Sequence, residues 1–196
     1  AVHDMAAFVE AGVTTFDCAD IYLGVEQLIG DFRRAYPELG RRVQVHTKFV
    51  PDLAALPTLK RADIVRIIDR SLQRLAAEQL ELVQFFWWDF GIPGAVDAAL
   101  VLKDLVAEGK IAHLGVTNFT TAQLATLIDA GVPFISNQVQ YSLVDRRPER
   151  LMVDYCTGRG IGILTYGQLP GGFISAHGLE AAEPTAGIEN RSLIKY

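Results

Sequence analysis

The sequence predicts an α/β fold in which a parallel sheet is covered by helices, and three observations carry that prediction. Amphipathic helical patterns and short apolar runs alternate along the 196 residues. The short runs are rich in β-branched residues and apolar at nearly every position, as strands buried on both faces are. Strict alternation of strand and helix is the rhythm of parallel βα units, not of hairpins.

In chain order, Ala1 already lies in a helical pattern, and the first strand is expected at Val13 to Phe16. Val25, Leu28, Ile29 and Phe32 fall at i, i+3, i+4 and i+7 of a helix that ends at Pro37. A strand over Val43 to Thr47 precedes a helix with Ile64, Ile67, Ile68, Leu72 and Leu75 on one face. The strand Leu80 to Phe86 leads to a helix carrying Ala98, Val101, Leu102, Leu105 and Val106, with Gly109 placed to end it. After the strand Ile111 to Val116, Thr120 and Gln123 form a capping-box pattern for a helix that Gly131 closes. Strands over Phe134 to Val139 and Ile161 to Tyr166 complete a set of six.

Such a sheet can remain open and doubly wound, or curl into a barrel. The open form with a bound dinucleotide calls for G-x-G-x-x-G between a strand and a helix. No such motif is present, and Gly158, Gly160 and Gly162 enter a strand instead of leaving one, which reads as a turn. There is no phosphate-loop motif and no zinc-protease helix.

Length and a hydrophobic fraction of 50% are enough for one domain with a real core. A net charge of -5 with interspersed signs offers no basic stripe, so nucleic acid is not an expected partner. No apolar run reaches the roughly 18 residues of a membrane span, and a soluble, cytoplasmic protein is expected. Cys18 and Cys156 are far apart and in no metal-ligand spacing, and read as two buried thiols.

If the sheet closes as a barrel, chemistry gathers at the C-terminal strand ends. Those ends supply Asp17 and then Tyr22, Lys48, the aromatic run "QFFWWDF", Thr117 and Asn118, Gln138, and Tyr166. An acid, a phenol and an amine on neighbouring strand ends can form a proton-transfer site, because a cation beside a phenol favours the phenolate. Each element also has a plainer reading. Asp17 and Lys48 can be a structural ion pair, Asn118 and Gln138 can satisfy loop backbone, and Tyr166 and the aromatic run can be core. His46 and His113 read as hydrogen-bonded interior residues. Asp89 and Asp145 admit a two-carboxylate hydrolase, which nothing else in the sequence supports.

The motifs together resemble the aldo-keto reductase family. "TFDCADIYLGVEQLIG" is similar to its Asp and Tyr signature, "VHTK" to its lysine strand, and "EGKIAHLGVTNF", "SNQVQYSL" and "GIGILTYGQLPGGF" to its fifth, sixth and seventh strand motifs. The resemblance runs from about Val9 to Phe173. It implies a (β/α)8 TIM barrel, here cut to about six strand–helix units, that reduces aldehydes or ketones with NADPH, or NADH, and needs no metal. By resemblance Tyr22 is the general acid, Lys48 lowers its pKa and Asp17 holds Lys48. Thr117, Asn118 and Gln138 hold the nicotinamide carboxamide, Tyr166 stacks on the nicotinamide ring, and Gly167 and Leu169 are further cofactor contacts. The expected partner is a small-molecule carbonyl substrate.

The resemblance also answers for the aromatic run. The family's fourth strand ends in a histidine that hydrogen-bonds the substrate carbonyl, and Phe86 occupies that position, followed by Trp87. Phenylalanine has no donor. The expectation is a weakened reductase with Phe86, Trp87 and Trp88 as an apolar pocket wall and Phe85 turned away from the barrel axis. The rival is a non-catalytic nucleotide-sensing or regulatory protein that keeps the fold. The barrel's first and last strands have no counterpart in the sequence, which reads as a single barrel domain over 1–196, incomplete at both ends, with 174–196 a loop after the seventh strand. Alone, it is expected to fold poorly and to bind NADPH weakly.

Overall fold

The computed structural model describes residues 1–176 and 180. The expected loop over 174–196 therefore lies outside the described residues from 177 onward, Glu180 excepted.

Six strands form one sheet: β1 Thr15–Asp17, β2 Gln44–Phe49, β3 Leu80–Phe85, β4 Ile111–Thr117, β5 Phe134–Gln140 and β6 Gly162–Tyr166. Every pairing is parallel, and the spatial order is β1-β2-β3-β4-β5-β6. That order decides between the two closures. A doubly wound sheet reverses direction at a switch point, whereas this one always adds the next strand on the same side, as a barrel wall does. The helices between strands are α1 Val2–Glu10, α2 Val25–Ala35, α3 Pro37–Gly40, α4 Arg61–Leu75, α5 Ala95–Ala107, α6 Thr121–Asp129 and α7 Met152–Thr157.

The core lies between the outer face of the sheet and the helices. Val45, Phe49, Val83, Phe85, Leu114 and Val116 from the strands meet Ile29 and Phe32 of α2, Ile64, Ile68 and Leu75 of α4, and Leu102 and Leu105 of α5. The helical faces are those the periodicity predicts. Thr120 caps α6 as expected: its hydroxyl accepts from Gln123 N at 3.3 Å and the Gln123 side chain accepts from Thr120 N at 2.9 Å.

The first strand starts later than predicted. Val13 N donates to the Phe8 carbonyl at 2.9 Å and so closes the end of α1, and the β1 ladder begins only at Thr15 opposite Gln44. Strands β2, β4 and β5 run one or two residues further than their apolar runs. Their last residues are polar or aromatic and still pair, as Lys48 does with Gln84 and Thr117 with Gln138. Gly158 and Gly160 lie in the turn between α7 and β6, as their context predicts, whereas Gly162 already pairs with Ser136 as the first residue of β6.

Gly30 is where α2 crosses α4. A Cβ there would lie 1.9 Å from the Arg74 carbonyl oxygen, a backbone atom that cannot step aside without moving the helix. Gly30→Ala is accordingly expected to cost about 3 kcal/mol, the upper range for forcing extra volume into a packed contact. Chemical denaturation reads this as a lower midpoint at unchanged slope, and an unaltered midpoint would show that the two helices can separate freely.

Candidate active site

Side chains alternate across a strand, so Asp17, Lys48, Gln84, Gly115, Thr117, Ser136, Gln138 and Tyr166 share the inner face of the wall. At the C-terminal strand ends a cleft of about 420 Å³ is lined by Asp17, Ile21, Tyr22, Lys48, Val50, Phe86, Trp88, Thr117, Asn118, Gln138 and Tyr166. Residues separated by up to 149 positions thus face one space.

Asp17 is the hub. Its Oδ2 accepts from Lys48 Nζ at 2.6 Å, and its Oδ1 accepts from Gln84 Nε2 at 3.0 Å and Gln138 Nε2 at 2.8 Å. Lys48 is buried and also donates to the Cys18 carbonyl at 2.9 Å. An ammonium taken out of water is stable only when paired and hydrogen-bonded, and both conditions are met here. The ion pair ties β1 to β2 and fixes where the lysine head sits.

Tyr22 lies in the turn between β1 and α2, where its N–H donates to the Ala19 carbonyl at 3.0 Å. Lys48 Nζ sits 5.5 Å from the centroid of its ring. The sequence reading has Lys48 lowering the phenol's pKa. In the folded chain, partial burial and then the negative charge of Asp17 push Tyr22 above the ordinary tyrosine value. Lys48 is paired with Asp17 at contact distance and faces the ring. Tyr22 is therefore a protonated phenol at neutral pH.

Asn118 holds a left-handed backbone with φ of 60°, uncommon outside glycine, and its N–H donates to the Gln138 carbonyl at 2.8 Å. Its side-chain oxygen accepts from the Tyr166 hydroxyl at 2.7 Å. Thr117 Oγ1 donates to the Gln138 carbonyl at 3.3 Å. These contacts order β4, β5 and β6 at one rim. Gly167, at φ of 77°, turns the chain out of β6, and Leu169 beyond it is 75% exposed. Neither lines the cleft.

The aromatic run divides. Phe85 is fully buried on the helix side, against Phe49, Trp87 and Phe119. Phe86 and Trp88 line the cleft and meet edge to face at 5.0 Å, and Trp88 Nε1 donates to the Pro51 carbonyl at 2.8 Å. Trp87 is not a wall of this cleft. It is 3% exposed, donates Nε1 to the Ile92 carbonyl at 3.1 Å and packs beside Gly94, because alternation after β3 turns it to the same side as Phe85.

The sequence profile of the aldo/keto reductase family matches residues 1–195. The chain belongs to this family. Aldo-keto reductase YhdN of Bacillus subtilis (strain 168) is 32% identical over 181 residues, covering 89% of this chain and 53% of that protein. The aldo/keto reductase from Klebsiella pneumoniae, solved in complex with NADP and acetate, superimposes with a TM-score of 0.75 at 26% identity, over 91% of this chain and 61% of that one. The glycerol dehydrogenase from Gluconobacter oxydans gives 0.77 at 26% identity, over 96% and 58%. The chain spans about half the length of the curated relatives it matches. Its six parallel units are a stretch of the (β/α)8 wall of the aldo-keto reductases.

In this aldo-keto reductase the remaining sequence candidates fall elsewhere. The half-buried Asp145 pairs with the exposed Arg147 and Asp89 accepts from Gly91 N in a turn, and neither lines the cleft. His46 is half-buried, and burial lowers its pKa. His113 is exposed, not interior as expected, because it sits near the entry end of β4, away from the cleft. Both cysteines are buried and free, and burial pushes Cys18 up to about 12.

Gln84 is the site residue that sequence reasoning passed over. It is fully buried, bonds Asp17, and shares the inner face with Phe86 two positions on. An amide at inner parity within the apolar run "ELVQFF" was the available signal. Gly115 is required beside it: a Cβ there would lie 2.3 Å from Ser136 Oγ and 3.5 Å from Gln84 Cγ.

Proposed function

We propose that this chain carries the catalytic face of an NAD(P)H-dependent reductase of aldehydes or ketones, weakened by Phe86. The observation that carries the reading is the convergence of a protonated phenol, Tyr22, with the Asp17–Lys48 pair at the mouth of one cleft. The nicotinamide supplies hydride to the carbonyl carbon when bound. Tyr22 holds a proton at Oη for the carbonyl oxygen. An alkoxide is a far stronger base than a phenolate, so a phenol raised above its ordinary pKa still gives up its proton at that moment. Lys48 keeps positive charge beside the ring as the phenolate forms, and Asp17 fixes its position.

The residues fit a nicotinamide. Asn118 and Gln138 present amide groups at one rim, with Thr117 beneath them and the Tyr166 ring beside them, and all four line the cleft. The Asn118–Tyr166 hydrogen bond holds a flat aromatic face at the rim, suited to fixing which face of the ring delivers hydride. The Klebsiella relative's complex with NADP supports the same class of cofactor, and NADPH is the form proposed, with NADH as the alternative. Gly167 and Leu169 are proposed as outer cofactor contacts on the rim. The substrate is a small carbonyl compound with an apolar substituent against Phe86 and Trp88.

Oxidation of NADPH by a reactive aldehyde in the intact protein tests the reading. A measurable rate, lost when either aldehyde or NADPH is omitted, is expected. One observation favours a second reading: Phe86 removes the donor that would polarise the carbonyl, as a nucleotide-sensing protein could afford. Tight NADPH binding with no oxidation by any reactive aldehyde would select it.

A further inference from the structure

We propose that Asp20 is a positioning residue that holds the Tyr22 turn in register with Lys48. The proposal rests on the reading of Tyr22 as the acid. The β1–β2 ladder does not stop at Asp17: Cys18 N donates to the His46 carbonyl at 2.9 Å, and Asp20 N to the Lys48 carbonyl at 3.3 Å. The Asp20 side chain then reaches one step further, where Oδ1 accepts from Val50 N at 3.1 Å. The Asp20 carbonyl accepts from Arg74 Nη1 at 3.2 Å. Three hydrogen bonds, two to β2 and its exit and one from α4, thus grip the residue two positions before Tyr22, and the Tyr22 turn begins inside that grip.

The burial of Asp20 is hard to explain as stability alone. It is 5% exposed, its Oδ2 is buried without a hydrogen-bond partner, and the nearest cation, Arg70, stands at 3.7 Å. Removing a carboxylate from water with so loose a partner is costly. A cavity beside it shares Ile21, Val50 and Trp88 with the active-site cleft, but the buried Oδ2 is closed to any ligand there, so Asp20 acts through the backbone it holds.

The charges facing Asp20 are Glu26 from α2, Arg70 and Arg74 from α4, and, around the adjoining cavity, Asp52, Asp63 and Arg66. Burial raises Asp20 from 3.8 to about 7, against the pull of the Val50 N–H. Between those values the folded protein keeps a proton that the unfolded chain has released. Stability therefore falls as pH rises through that window, and the penalty is complete above about 7. In the same upper range the ionised carboxylate becomes the stronger acceptor for Val50 N–H.

The test compares Asp20→Ala and Asp20→Asn in the intact protein. Alanine is expected to lower kcat about 10- to 100-fold, the scale of a misplacement near 1 Å, while the Kd for NADPH stays within about twofold. Asparagine keeps an acceptor for Val50 N–H and is expected to restore kcat to within about threefold. A second readout needs no turnover. The phenolate absorbance of Tyr22, isolated by difference against Tyr22→Phe in each background, should titrate lower in Asp20→Ala as the loosened turn hydrates. Wild-type kcat with an unmoved titration in the alanine variant, or an asparagine variant no better than alanine, overturns the proposal. If alanine does not fold, Asp20→Leu, which fills similar space without an acceptor for Val50 N–H, takes its place, and wild-type kcat with an unmoved Tyr22 titration there overturns the proposal. Should the wild-type protein show no turnover, the reductase reading fails while the Tyr22 titration still decides the role of Asp20.

Discussion

Tyr22→Phe is expected to lower NADPH oxidation by about 1000-fold, within the range that general acid catalysis contributes, while NADPH binds within about threefold of wild type. The reason lies in how most of the other donors around the cleft are committed, the Asn118 side-chain amide N–H excepted. Lys48 donates to Asp17 and the Cys18 carbonyl, the Gln84 and Gln138 amides to Asp17, Thr117 to the Gln138 carbonyl and Tyr166 to Asn118. Among the described residues, the Tyr22 hydroxyl makes no such bond, and it belongs to a side chain lining the cleft. The phenyl ring keeps the contact with Lys48, so the substitution removes the proton and little else. Because partial burial and Asp17 raise its pKa, the alkaline limb of wild-type turnover set by this phenol is expected above the ordinary tyrosine range. The folded phenol is the protonated form throughout the neutral range, so no loss of the acid is expected there. Steady-state rates across pH check both statements. A Tyr22→Phe enzyme with wild-type kcat would show that the proton comes from elsewhere.

Phe86→His carries the second large effect, in the opposite direction. Phe86 leaves β3 on the inner face, and its N–H still donates to the Phe49 carbonyl at 3.1 Å, which holds its Cα in line with the ladder. An imidazole there places a donor in the cleft that Tyr22 and Trp88 also line. One donor aimed at a developing oxyanion is worth on the order of 100-fold in rate, and a gain of about that size in kcat is expected. The exchange gives up an edge-to-face contact with Trp88, at a cost near 1 kcal/mol of stability. Single-turnover oxidation of bound NADPH separates the chemical step from product release. A gain of about 100-fold identifies a reductase with one weakened position. Turnover absent from both forms, with NADPH still bound, identifies a protein that keeps the cofactor for sensing.

Parity along the strands was legible in the sequence and carried most of the site. Asp17, Lys48, Thr117 and Gln138 are polar residues at the ends of apolar runs, and such residues at strand ends must face either solvent or a shared site. Trp87 is not separable from the cleft aromatics in the sequence, because the aromatic run gives no hydropathy contrast between the two faces. Only the continued alternation after β3 shows that it joins Phe85 in the core while Phe86 and Trp88 remain in the cleft. Gln84 was overlooked for the opposite reason: its neighbours are apolar, and its partner Asp17 is 67 residues away.

The sequence by itself determined the units, because periodicity, caps and β-branched runs act over a few residues and need no long-range information. It determined the family as well, since motifs such as "TFDCADIY" preserve both residue type and spacing. Tertiary structure alone decided how the units close and how the site is charged. Strand order chose the barrel wall over the doubly wound sheet, a relation between elements that no local pattern encodes. Partial desolvation of Tyr22 and the charge of Asp17 beside it set the upward direction of the phenol's pKa. Electrostatic effects depend on distance and desolvation, and both exist only once the chain has folded.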